Sequence, residues 1–167
     1  MENKPVILEW SNGEGIIFKK QIELDNKYLF KITQQVLNNT NNQVELYPYA
    51  QITRNKIPDD IQNFYISHEG FIGVFDEELK EDDYDDIEEK KIVREANQGW
   101  FGITDKYWMT ALVPKNGENF KSTFLYQDAY KANFLFNKPK IIEPSSKINT
   151  EIKVFVAAKE VQTIDAY

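Results

Sequence analysis

The chain has 167 residues, a net charge of −7 and no cysteine, and its length is sufficient for one domain with its own apolar core. Without cysteine there is no disulfide, thiolate metal ligand or cysteine nucleophile, and the single histidine, His68, rules out any metal site built on a histidine pair. Ten acids and three lysines between Asp76 and Lys91 carry the whole of the net charge. The remainder is balanced, offers no basic stripe, and argues against a nucleic-acid partner.

Taken in chain order, the sequence reads as strand after strand. Val6–Trp10 and Ile16–Leu24 flank Ser11-Asn12-Gly13-Glu14-Gly15, a hairpin signature with glycines free to take positive φ. Tyr28–Leu37 alternates apolar and polar residues, the pattern of a strand with one wet face. Val44–Thr53 contains Pro48, which predicts an edge strand or one broken at a bulge. Arg54–Asn63 lacks a pattern, and Phe64–Ile66 with Phe71–Phe75 predicts a second hairpin across Ser67–Gly70. Asp76–Glu89 reads as a solvated, mobile acidic loop. Further strands are expected at Ile87–Glu95, on both sides of Asp105-Lys106, and at Phe120–Tyr126, Tyr130–Asn137 and Ile148–Ala157. Only Ala158–Tyr167 favours helix, as a short C-terminal helical start. Short strands at regular spacing imply an all-β, antiparallel sandwich in one compact unit spanning residues 1–167.

No run approaches the roughly 20 apolar residues of a membrane-spanning helix. Met1-Glu2-Asn3-Lys4 leads straight into a strand without an export segment, so the chain is expected to be an excised fragment with an added Met.

Candidate chemistry is sparse. The acidic segment lacks the alternation and central glycine of a calcium-binding EF-hand loop. His68, in Ser67-His68-Glu69-Gly70, reads as structural, and only Arg54 and Arg94 can make bidentate forks. Asn38-Asn39-Thr40 fits a glycosylation acceptor, a pattern short enough to arise by chance. No phosphate loop, G-x-S-x-G elbow or HExxH is present. Trp10, Trp100, Tyr107 and Trp108 suit either a sugar-binding platform or core packing, and packing is the expectation.

Four passages, in order, carry a resemblance. Glu9–Lys20, Asn63–Phe75, Gly99–Pro114 and Val154–Glu160 look like segments of the large periplasmic domain of the YidC/Oxa family of membrane protein insertases. The third is the most specific, with Gly99, Trp100, Asp105, Lys106, Tyr107, Trp108, Ala111 and Pro114 at the positions of the family signature. The resemblance implies a β-supersandwich, a galactose-mutarotase-like twisted double sheet, on the periplasmic side of the bacterial inner membrane. It also implies a multi-pass parent whose spans lie outside this chain, and a larger periplasmic domain of which the N-terminal part is missing here, so that a sheet edge is left open. The implied role is accessory and non-enzymatic, without a cofactor or metal: to assist insertion and folding of membrane proteins, with Sec translocon components and nascent membrane proteins as partners. The stretch linked to translocon contact falls at about Gln51 to Ile87, where Phe64, Phe71 and Tyr84 are the candidate partner-facing residues. A carbohydrate-binding or other secreted ligand-binding β-sandwich is the alternative.

Overall fold

The computed structural model describes residues 4–58 and 68–159. The N-terminal hairpin forms as the sequence predicts: β1 (Val6–Ser11) and β2 (Ile16–Leu24) pair antiparallel, with Trp10 opposite Phe18. Asn12 fixes the turn, its side-chain carbonyl accepting the amides of Glu14 at 2.8 Å and Ile16 at 3.0 Å. Asp25 does the same for the next turn, accepting from Lys27 and Leu29, and β3 (Leu29–Asn38) returns along β2.

Proline then redirects the chain. The stretch Val44–Thr53, expected as an edge strand or one broken at Pro48, is broken there into β4 (Val44–Leu46) and β5 (Tyr49–Arg54), and the chain passes from one sheet to another at Tyr47-Pro48. Phe64–Ile66 lies outside the described residues. β6 (Gly70–Phe75) and β7 (Glu78–Asp82) form a hairpin whose Asp76-Glu77 turn has φ of 47° and 74°.

The acidic segment is structured, which corrects the expectation of a mobile loop. β7 is followed by α1 (Tyr84–Glu89), whose Tyr84 and Ile87, three positions apart, turn into the core while the acids face water. The Asp76 carboxylate also accepts the amides of Asn97 at 3.0 Å and Gln98 at 3.1 Å, tying the turn to the following strands.

The rest of the chain is β8 (Ile92–Ala96), β9 (Gly99–Thr104), β10 (Trp108–Val113), β11 (Phe120–Tyr126), β12 (Tyr130–Phe136), β13 (Lys140–Ile142) and β14 (Ser146–Ala158). Ala158, where a helical start was expected, is the last residue of β14; residues 160–167 lie outside the described residues.

The strands form an antiparallel double sheet. The larger has eight strands in the order β1-β2-β3-β14-β10-β9-β6-β7, the smaller four in the order β5-β12-β11-β8, and β4 with β13 makes a separate two-stranded ribbon. Between them lies a core rich in phenylalanine: Phe71, Phe101, Phe120, Phe124, Phe134 and Phe136 are almost wholly buried. Each such ring contributes roughly 2–3 kcal/mol by leaving water. Arg94 enters this core between the Phe75 and Phe124 rings, 5.5 Å from each centroid, and its guanidinium grips Asp82 with two contacts of 2.8 Å. The large sheet supplies the core from β6, β9, β10 and β14, with Ile32 of β3 at its margin; neither β1 nor β2 contributes to it.

Gly99 shows why a glycine opens the aromatic stretch. Its φ is +128°, and a Cβ there would lie 1.9 Å from the Val74 carbonyl oxygen of the neighbouring strand. Gly117, at φ +81° in an open turn, would meet nothing within 4 Å. Gly99→Ala is therefore expected to lower unfolding stability by about 2–3 kcal/mol in urea melts, and Gly117→Ala by about 1 kcal/mol. Equal effects would contradict this packing.

Candidate functional site

Because the smaller sheet does not reach β1 and β2, the inner face of the large sheet is open over those strands. The two-stranded ribbon and the start of β5 stand opposite, and a groove of about 470 Å³ runs between. Trp10, Phe18, Val36 and Ile148 line its floor, and Tyr47 and Tyr49 form the facing wall. Every residue of β1 is exposed, including Val6, Ile7, Leu8 and Trp10, and β1 is the edge of its sheet. An exposed apolar edge strand can pair with an added strand.

One buried side chain ties the wall of the groove to the large sheet. Asn38, fully buried at the end of β3, donates its amide to the carbonyls of Asn42, Ile142 and Glu143, and its own carbonyl accepts from Thr40. Its nitrogen is consumed in this lock, so the Asn38-Asn39-Thr40 pattern fixes a turn.

The groove has little catalytic equipment. Its single carboxylate, Glu9, pairs with Lys19 at 2.8 Å, and no histidine lines it. Among the described residues no group of three or more His, Asp or Glu could hold a metal ion. Two carboxylates positioned as acid and base are absent from it. What the arrangement can do is bind apolar and aromatic groups.

A second cluster sits where β5, the β9–β10 turn and α1 meet. Arg54 pairs with Asp105, Lys159 donates to the His68 carbonyl at 2.9 Å, and His68 Nε2 lies 2.8 Å from the Phe71 carbonyl. His68 is thus engaged with the backbone, and the Asp105 amide closes the β9–β10 turn by donating to the Trp108 carbonyl at 2.8 Å. Burial pushes the Tyr84 phenol well above its ordinary 10.0; the Arg54 guanidinium opposes this, and the Asp105 and Glu69 carboxylates reinforce it. Tyr130 shifts the same way through burial and through its hydroxyl's bond to Glu88.

The candidate partner-facing residues are placed differently from expectation. Phe71 is 0% exposed and Tyr84 is 4% exposed, packed on one another at a ring separation of 5.8 Å, so both side chains belong to the core and not to the surface. Both point inward because β6 and α1 close the core. Phe64 lies outside the described residues. The aromatics expected to pack divide: Trp100 is half-buried against Met109, Ala111 and Phe155 on the outer face of the sheet, whereas Trp10, Tyr107 and Trp108 are 62%, 63% and 61% exposed. Tyr107 and Trp108 are consecutive and follow a turn, so strand alternation cannot send both inward.

These placements generate two expectations. Phe71→Ala should cost about 3–5 kcal/mol, and Trp108→Ala less than about 0.5 kcal/mol, in the same denaturant titration. Since the folded state favours the neutral Tyr84 and Tyr130 phenols, their contribution is complete below the unfolded value of 10.0 and is lost as pH rises beyond it. Tyr84→Phe removes a phenol that burial holds neutral, so it should flatten the alkaline decline; a steeper decline would contradict its burial.

The family model described as YidC periplasmic domain matches residues 1–167. A protein named membrane protein insertase YidC from Pelagibacter ubique is 44% identical over 165 residues, covering 99% of this chain and 29% of its own length. One of the same name from Cereibacter sphaeroides is 37% identical over 178 residues, covering 99% of this chain and 28% of its own. The chain thus spans under a third of these relatives. Among solved structures, a galactose mutarotase related enzyme from Lactobacillus acidophilus superposes with a TM-score of 0.63 at 11% identity, covering 93% of this chain and 68% of that one. An alpha-galactosidase from Lactobacillus brevis gives 0.63 at 7% identity, covering 98% of this chain and 24% of that one. These show a galactose-mutarotase-like β-sandwich.

Proposed function

The chain belongs to the family of YidC periplasmic domains, and from that premise we propose that it is one accessory, non-catalytic β-sandwich domain of a bacterial inner-membrane insertase. In this reading it is a piece of a larger periplasmic domain, lies on the periplasmic side of the membrane, and assists the insertion and folding of membrane proteins, alone or beside the Sec translocon. The observation that carries the reading is the match of the family over the whole chain, with relatives at 34–44% identity that bear the insertase name.

The groove supplies the working surface. Its aromatic floor suits an apolar polypeptide, which would gain side-chain burial against Trp10 and Tyr47. Such contacts are sequence-tolerant, as a surface that meets many membrane-protein segments requires. The test is a photo-crosslinking residue at position 10 or 47 in the parent protein during synthesis of a membrane protein that depends on it. Crosslinks to the emerging chain are expected, with Trp10→Glu slowing insertion; a silent groove together with unchanged insertion would overturn the reading.

The aromatic groove in a mutarotase-like fold also favours a sugar-binding module. Titration calorimetry separates the two. Heat on adding millimolar monosaccharides would bring the sugar reading forward, and its absence would remove it.

A further inference from the structure

Three neighbouring strands under the groove each place one polar residue among apolar ones on their inner faces: Lys20 on β2, Gln34 on β3 and Thr150 on β14. The register sets them in line. Lys20 pairs with Gln34, Gln34 pairs with Thr150, and all three line the groove. The next line along the strands, Trp10 with Phe18, Val36 and Ile148, is apolar throughout. Paired strands lie about 4.8 Å apart, so an ammonium, an amide and a hydroxyl follow one another within about 10 Å, beside an aromatic line.

Lys20 is exposed and, among the described residues, no carboxylate pairs with it. The acids around the groove are occupied or turned away. Glu9 is held by Lys19 and Glu118 by Lys140, while Glu23 and Glu151 pair with Lys31 on the outer face of the sheet. Glu45 alternates with Leu46, which lines the groove, and so lies on the far face of the ribbon. Glu14 is in the β1–β2 turn, beyond the Trp10 line, and Glu143 accepts from Gln43. One positive charge is therefore left without a counter-ion beside an apolar line. An ammonium only donates hydrogen bonds, and a carboxylate is its strongest side-chain acceptor. A neutral sugar would leave that charge unanswered. Segments delivered to the outer side of a membrane are poor in lysine and arginine, so the charges they carry are weighted toward aspartate and glutamate.

We propose that the groove prefers polypeptide segments in which an acidic residue accompanies apolar or aromatic ones, Lys20 and Gln34 taking the carboxylate and the Trp10 line the apolar side chain. In an extended segment, alternate side chains share a face and stand as far apart as Phe18 and Lys20 do on β2, so the two lines accept an apolar and an acidic residue at alternate positions. This rests on the reading of the groove as a polypeptide-binding surface, and adds a charge bias to contacts that are otherwise sequence-tolerant.

The test uses the 167-residue chain and three dye-labelled peptides of about eight residues, rich in tyrosine and serine. They differ only at one position, next but one to a central tyrosine, which holds aspartate, asparagine or lysine. Fluorescence anisotropy should find the aspartate peptide bound about fivefold more tightly than the asparagine peptide, and the lysine peptide weakest. The chain carries a net charge of −7, so long-range attraction alone favours the lysine peptide, and a preference for aspartate is local. Lys20→Glu should reverse the order of the aspartate and lysine peptides. Lys121→Gln, an exposed change on the smaller sheet, should leave the order as it is. Trp10→Ser should weaken all three. Where Lys20→Glu loses its cooperative melt, Lys20→Gln decides, with the aspartate and asparagine peptides then expected to bind alike. If those two peptides bind the native chain equally while Trp10→Ser weakens both, the charge preference is wrong and the polypeptide-binding groove stands. A preference for aspartate that survives the Lys20 substitutions also overturns the proposal. If no peptide binds, or Trp10→Ser changes nothing, the reading of the groove itself fails.

Discussion

Eight strands face four, and that mismatch in sheet width underlies most of what this molecule presents to its surroundings. A sheet hydrophobic on its inner face must bury that face or display it. Here the four-stranded layer buries the part contributed by β6, β9, β10 and β14 under a set of interlocked phenylalanines. The part contributed by β1, β2 and the tips of β3, β14 and β10 is displayed. The groove and the exposed Trp108 are thus two consequences of one constraint, and Asn38 adds to it by pinning the ribbon that walls the groove.

The frame resembles that of sugar-converting enzymes, yet the groove contains only Glu9 as a carboxylate and no histidine. A fold conserves the packing of its layers while the chemistry is carried by a few side chains that can be exchanged. In this chain the polar side chains that are arranged with care, Asn38, Arg94 with Asp82 and Arg54 with Asp105, all hold strands and turns together. The exposed apolar surface is in keeping with the proposed recognition role in a family whose named members are membrane protein insertases.

Much of the fold was legible in the sequence because turns and alternation are local signals. Asn12, Asp25 and Pro48 each act within a few residues, and the strands they bound appear within a residue or two of expectation. The acidic segment was misread because its charges masked a sparse inward pattern: Tyr84 and Ile87 suffice to bury one face of a six-residue helix. The site was less legible, since exposure depends on which strand another sheet covers, and that is set by long-range pairing such as β14 inserting between β3 and β10. An aromatic residue on a strand has the same local signature whether it is Phe71 in the core or Trp108 in water.

The central claim, that aromatic residues on the unmatched part of the large sheet stand in solvent, is open to one direct measurement: acrylamide quenching of emission from three variants that each retain a single tryptophan. The account predicts red-shifted, readily quenched emission from Trp10 and Trp108 and shielded, blue-shifted emission from Trp100 on the outer face. Shielded emission from both Trp10 and Trp108 would contradict it.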